Sequence, residues 1–270
     1  MLFTLNTLGA PRWTLEDVAR NARAWGYAGV DLRLLDGELI TTTLVRDNLA
    51  RLRSLFPSDE LPLAVLATSV RLASADPQAR QRARDETHAW IDLAAELGVP
   101  VVRVFGGNPE QPLELEDSIA AAAESLASFA EHAEQARVQV GLETHDEFSS
   151  ARAVARAVDG VRGPWIGAIW DMFHTARMAE TPADVMSAIG DRLLNVHLKD
   201  GRRQDGGWSL VLLGEGDIAV RDGLRLLQAR GYDGYVSVEW EKKWHPELAE
   251  PEVAFPQHMR VLREYLAASD

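Results

Sequence analysis

Short apolar runs and longer amphipathic segments alternate eight times along this chain, and few folds admit that order. LFTLN (2–6) precedes TLEDVARNARAWGY, where Thr14 can cap a helix and Asp17 holds the capping-box position. GVDLRLL precedes TTTLVRDNLARLRSLF. LPLAVLAT (61–68) precedes DPQARQRARDETHAWIDLAAELG, which Asp76-Pro77 opens and Gly98 closes. VPVVRVFGG comes before LELEDSIAAAAESLASFAEHAEQA. VQVGLE, WIGAIWD, LLNVHL and YVSVEW supply four further strands, with helical segments between and after them. Strands that alternate with helices pair in parallel through right-handed crossovers. Eight such units in 270 residues, undivided by any Pro/Gly/Ser-rich linker, match a (β/α)8 TIM barrel: one α/β domain over residues 1–270. A doubly wound open sheet would need a GxGxxG or Walker loop after an early strand. Gly106-Gly107 in FGGNPEQP gives neither.

Charge and composition remove several function classes. The net charge of −13 argues against nucleic acid or an acidic membrane surface as partner. There is no cysteine, hence no disulfide, thiolate metal site or cysteine nucleophile. MLFTLNTLGAPRW has no basic n-region or long apolar h-region, and no run approaches the roughly 20 apolar residues of a membrane helix. The expectation is a cytoplasmic protein acting on a small molecule, with homo-oligomerisation compatible with the sequence.

The last four strands end in titratable residues. Strand side chains alternate between two faces. In VQVGLE, Val138, Val140 and Leu142 share one face, Gly141 and Glu143 the other. In WIGAIWD, Gly167, Ile169 and Asp171 fall together. In LLNVHL and the lysine after it, Leu194, Val196 and Leu198 oppose Asn195, His197 and Lys199. In YVSVEW, Val236, Val238 and Trp240 oppose Tyr235, Ser237 and Glu239. With the large apolar phase against the helices, Glu143, Asp171, His197 and Glu239 point into the barrel mouth, where such barrels place their active sites. Three carboxylates converging there would repel and raise one another's pKa. One divalent cation removes that problem. An oxygen-rich set with one imidazole suits Mn2+, Mg2+ or Co2+, and Zn2+ less readily because it favours fewer carboxylates.

LETH, WDMFH, HLKD and SVEWE, in this order and spacing, resemble the sugar phosphate isomerase/epimerase family, the xylose isomerase-like TIM barrels. The resemblance covers essentially the whole chain. It implies that Glu143, Asp171, His197 and Glu239 hold one divalent metal, and that Glu143 and Glu239 also act as acid/base groups on opposite faces of the substrate. It further implies substrate contacts from His174, three residues after the aspartate, and from Arg203, six after the histidine. Epimerases of the family often carry another glutamate six residues after the first ligand. Here that position is Ser149, a departure from the ketohexose 3-epimerase pattern. HLKD also resembles members that dehydrate keto-inositols or dehydroshikimate.

The expected activity is a divalent-metal-dependent isomerase or epimerase of a sugar or keto-sugar working through an enediolate. A dehydratase or lyase of a keto-sugar or keto-cyclitol is the alternative. Where the abstracted proton returns, or whether a β-hydroxyl leaves, separates these outcomes. A zinc-dependent nuclease for abasic DNA would need a basic groove and about nine ligands. The acidic balance and the scarcity of inward His and acidic residues in the first four strands oppose it. Four intact ligands likewise oppose a non-catalytic binding subunit. His145 is inward by parity, as a substrate contact or a solvent-facing loop residue. Lys199, also inward, suits an oxyanion contact, a Schiff base, or a pair with Asp200 or another acid. Trp13, Trp208 and Trp244 fall in expected loops and suit stacking on a sugar or packing of a helix. Barrel phosphate sites follow strands seven and eight, where this chain has Glu215, Asp217 and Glu241. A neutral sugar, keto-sugar or cyclitol is therefore expected, although Arg202 and Arg203 offer contacts to an anion.

Overall fold

The computed structural model describes residues 1–107, 110 and 112–267. Eight parallel strands close into a barrel: β1 (Leu2–Asn6), β2 (Gly29–Leu32), β3 (Leu63–Arg71), β4 (Val101–Phe105), β5 (Gln139–Glu143), β6 (Ile166–Asp171), β7 (Leu193–Leu198) and β8 (Tyr235–Val238). β8 returns to pair with β1, so the barrel itself has no open strand edge. Helices begin and end where the capping residues lie. Thr14 and Asp17 form a reciprocal capping box on Leu15–Trp25, which Gly26 ends with φ +79. Asp76 caps Pro77–Leu97, and Gly98 closes it in the left-handed conformation.

The alternation sorts two cores. Outward residues and helix faces form the large one, with Trp90, Trp170, Phe129 and Phe255 fully buried. Inside the barrel a small apolar group (Ala64, Val65, Ala67, Val101 and Ile169) fills the space on the N-terminal side of the acidic strand ends. Close packing there demands glycine at 141, because a Cβ would lie 2.6 Å from Ile169 Cγ1.

Local departures from the expected pattern have identifiable causes. Leu193 opposes Ala168 while Asn195 opposes Ile169, so β7 carries an extra residue at Leu194. This bulge brings Leu194 toward inner-face glycines 141 and 167 rather than the helix side, where strict alternation with Val196 would put it. GVDLRLL stops as a barrel strand at Leu32. Its Leu34–Leu35 pairs with Glu38–Leu39 across Asp36-Gly37, both at positive φ. The helical stretch after it breaks at Asn48 into Thr42–Asp47 and Leu49–Leu55. A hairpin follows β7: Asp200–Gln204 pairs antiparallel with Gly207–Val211 around Asp205-Gly206. Trp208 therefore lies on a strand rather than in a loop. Asp-Gly between extended runs is a hairpin signal that was present in the sequence. Among the described residues no helix is long and apolar enough to cross a membrane.

His258, on the last helix (Pro251–Ala267), is buried edge-on to Trp240 with its Nδ1 unpaired. Burial pushes its pKa from 6.5 down to about 3. The folded protein keeps the ring neutral, whereas the unfolded chain takes up a proton below 6.5. The stability this site supports is complete above that value and declines as pH falls toward 3. Replacing His258 with leucine should flatten the loss of stability between about pH 7 and pH 5, read from urea midpoints of both proteins. Parallel slopes for wild type and H258L would show that His258 does not carry this dependence.

Candidate metal centre

Glu143, Asp171 and His197 come from the ends of β5, β6 and β7, and Glu239 directly follows β8. Parallel register sets Asp171 beside His197, and His197 beside Ser237, two residues before Glu239. One ligand atom from each of the four lies within 4.8 Å of those of the other three, and all four residues are buried. His197 Nδ1 faces the carboxylates, 2.7 Å from Glu143 Oε1 and 3.4 Å from Glu239 Oε1. Asp171 Oδ1 accepts the backbone N–H groups of Phe173 and His174, capping the short helix Met172–Arg177. Glu239 Oε1 accepts from Asn6 Nδ2 at 3.2 Å. Each ligand is held by a neighbour as well as by its strand.

The charges compensate locally. Burial raises the Glu143 carboxyl, but the Arg103 guanidinium at 3.3 Å and the His197 ring outweigh it and hold it well below the usual range. Burial likewise opposes ionisation of Glu239, and Lys199 and His197 overcome it, to about 2. Asp171 stays raised, because burial exceeds what Lys199 offsets and Glu239 and Glu143 add repulsion. Burial would deprotonate His197, yet Glu143 and Glu239 raise it to about 9. On the far side of that ring, Nε2 lies 3.8 Å from Asp31 Oδ2. Neither His197 Nε2 nor either Asp31 oxygen makes a well-formed hydrogen bond. Burial raises Asp31 to about 6, outweighing the lowering by His197 and by the Ser237 and Thr4 hydroxyls beside it.

A divalent cation fits these residues. Three buried carboxylates with one imidazole nitrogen aimed among them make a hard, oxygen-rich donor set. A ring bound through Nδ1 would leave Nε2–H facing Asp31, an acid–histidine arrangement typical of metal ligands.

The sites expected from sequence divide into those the mouth gathers and one it does not. A cavity of about 800 Å3 opens above the cluster, lined by Glu143, Glu239, His145 and His174 among others. The His145 and His174 ring centroids lie 4.2 Å apart with the planes tilted by 56°, and both ring nitrogens of His174 lack hydrogen-bond partners. Burial, with Lys199 and His145 nearby, lowers His174 to about 3, so it is neutral. Lys199 Nζ is fully buried and bridges Asp171 Oδ2 and Glu239 Oε2, each at 2.5 Å, with Glu241 Oε1 at 2.9 Å. Its neighbour Asp200 does not pair with it. That carboxylate accepts backbone N–H groups of Gly201, Gly214, Gly216 and Ile218, tying down the hairpin loop. Arg203 stands apart: exposed on the hairpin and not itself part of the cavity lining, its guanidinium lies 5.1 Å from the ring of Trp208. The hairpin that sequence reading missed carries it outward. Trp208 and Trp244 do line the cavity, whereas Trp13 packs on Trp25 and Phe255.

Sequence reading also passed over Asp31, Arg33, Arg71 and Arg103, all buried or partly buried near the mouth. A signal existed for two of them. Asp31 interrupts GVDL, and Arg103 interrupts VVRVF, each a charge in an otherwise apolar buried strand.

The profile of the family described as "Xylose isomerase-like TIM barrel" matches residues 19–265. Fructoselysine 3-epimerase of Shigella flexneri is 22% identical over 244 residues, 86% of this chain and 87% of that protein. The 3-oxo-isoapionate decarboxylase of Pectobacterium atrosepticum is 29% identical over 144 residues, about half of each chain. Among solved structures, the IOLI protein with a bound zinc atom superposes with a TM-score of 0.79 at 18% identity, covering 99% of this chain and 97% of its own. A D-tagatose 3-epimerase-like protein reaches 0.77 at 21% identity, with the same coverage. At these identities the structures speak for the fold, and the profile speaks for descent. The chain belongs to the xylose isomerase-like TIM barrel family.

Proposed function

We propose that this protein is a divalent-metal-dependent isomerase or epimerase of a sugar or keto-sugar, proceeding through an enediolate. The observation that carries the reading is the buried cluster of Glu143, Asp171, His197 and Glu239 beneath an open cavity. The similarity to a fructoselysine 3-epimerase supports it. Mn2+, Mg2+ or Co2+ suits the donor set best. When bound, the cation supplies Lewis acidity toward a substrate carbonyl, which makes the adjacent C–H acidic.

The chain's own residues supply the proton transfer. β5 and β8 are separated in the barrel by β6 and β7, so Glu143 and Glu239 approach a central substrate from different sides. Both carboxylates are held ionised by neighbouring cations. One carboxylate can take the α-proton and so become the acid that returns it to the same carbon or its neighbour. Return from the other glutamate on the opposite face requires that this second carboxylate first take up a proton from solvent through the open cavity. The Lys199 ammonium, locked by three carboxylates, offers positive charge to a developing oxyanion. Neutral His174 can donate and accept hydrogen bonds with substrate hydroxyls, with His145 beside it.

Lyase chemistry begins with the same carbanion, and the 3-oxo-isoapionate decarboxylase relative favours it as the second reading. Ser149 fits either. Where many epimerases carry a glutamate, its hydroxyl donates to Asp146 O and closes a turn.

Two outcomes are expected. Glu143→Gln and Glu239→Gln should each slow exchange of the α-proton of a keto-sugar in D2O by at least ~100-fold, as read by NMR with saturating Mn2+. If both variants exchange at the wild-type rate, the base is another group, and Lys199 is the next to replace. Asp31→Asn should weaken Mn2+ binding by about 10- to 100-fold in chelator competition while the circular dichroism spectrum stays unchanged. Wild-type affinity in that variant would mean that Asp31 does not position the His197 ring.

A further inference from the structure

The carboxylates of β5 to β8 face a basic wall of which the proton-transfer scheme uses only Arg103, and that only to keep Glu143 ionised. Arg33 follows β2, Arg71 closes β3 and Arg103 lies within β4, and all three line the cavity that holds Glu143 and Glu239. Arg33 is 7% and Arg103 2% exposed. Burying a cation is costly, and grouping three compounds the cost. Burial, with Arg103 and Arg71 adding repulsion against Glu239 and Glu143, pulls Arg33 down to about 9.

The wall is built rigidly. Arg33 is tied through its backbone N–H to Thr7 Oγ1 and through Nη1 to Ala67 O and Ser69 Oγ. Arg71 Nη1 donates to Gly107 O and Asp146 Oδ2. The guanidinium carbons of Arg71 and Arg103 lie 4.8 and 3.9 Å from the centroid of the Phe105 ring, which gathers the two charges at one place. Arg103 keeps buried Nε and Nη1 without a formed hydrogen bond, and among the described residues its ion pair is with Glu143, whose Oε2 lies 3.3 Å from Nη1. Hydroxyl groups of a neutral sugar would not repay such an arrangement, whereas an anionic oxygen group matches guanidinium donors in both charge and geometry.

We propose that the substrate carries a carboxylate or phosphate, seated against Arg33, Arg71 and Arg103 while its carbonyl end faces Glu143 and Glu239. This narrows the sugar isomerase reading, on which it rests, to acidic sugars: keto-acids of the uronate or aldonate kind, or sugar phosphates. It also places anion recognition on the first half of the barrel, away from the acidic loops after β7 and β8.

Three open-chain probes without a ketone or aldehyde test the subsite apart from turnover: D-glucitol, D-gluconate and D-glucitol 6-phosphate, titrated calorimetrically into the Mn2+-loaded protein. At least one anion should bind on the order of tenfold more tightly than glucitol. The preferred anion tells carboxylate from phosphate. Arg71→Gln and Arg103→Gln should each remove most of that preference. Arg71 is the more exposed of the two and so the safer to replace without unfolding. Equal binding of all three probes to the wild type overturns the subsite. So does a preference that survives in a folded Arg71→Gln, because the anion would then be held elsewhere, for instance on the Mn2+ itself. Failure of the isomerase reading looks different: no α-proton exchange with either neutral or acidic ketoses, whatever the probes show.

Discussion

Three carboxylates brought together in a water-poor barrel mouth cannot all remain ionised unless cations are brought with them, and the architecture of this protein answers that requirement. Burial opposes the charge on Glu143, Asp171 and Glu239 alike. The answer is distributed over strands: Arg103 from β4, and His197 and Lys199 at the end of β7. A closed parallel barrel does this well, because neighbouring strands end side by side and alternate residues point inward. Removing one partner from such a set costs more than the pair contributed, since the survivor is left buried and uncompensated. The mouth is therefore a coupled unit, in which each ligand's charge state depends on groups two strands away.

The barrel was legible because its signal repeats: eight apolar runs, each followed by a helical period, with caps such as Thr14–Asp17 and Asp76 at helix starts. The four acidic and imidazole strand ends were legible for a related reason. Side-chain parity along a strand is fixed, so residues near a strand's end can be assigned a face. That logic failed where the period breaks. The bulge at Leu194 and the hairpin after β7 both shift side chains by a local change that periodicity cannot register. Arg203 was expected at the substrate because it follows His197 at a familiar distance. The hairpin turns the chain outward first, and the guanidinium settles over Trp208.

The arginines were missed for a different reason. An arginine at a strand end is ordinarily solvent-facing, and its long stem lets the charge escape to water. Arg33 and Arg103 do not escape, because Ala67 O and Ser69 Oγ accept from the Arg33 guanidinium and the Phe105 ring lies against that of Arg103. Only tertiary contacts between β2, β3 and β4 reveal this. Parity alone gives Arg103 the inward face that it shares with Val101, but not the unpaired nitrogens that make it unusual.

Lys199 joins the two halves of the site. It is bound to Asp171 and Glu239, which belong to the ligand cluster, and to Glu241, which is 18% exposed at the rim. An ammonium is a compact charge on a flexible stem, able to exchange one carboxylate for another with little change in geometry. A divalent cation drawing on Asp171 and Glu239 would weaken their hold on the lysine, and Glu241 supplies the partner that remains. The third carboxylate would thus allow the lysine and a metal to share one cluster. With Asp171 and Glu239 so engaged, the pair with Glu241 would keep the ammonium charged beneath the cavity that Glu239 and Glu241 line.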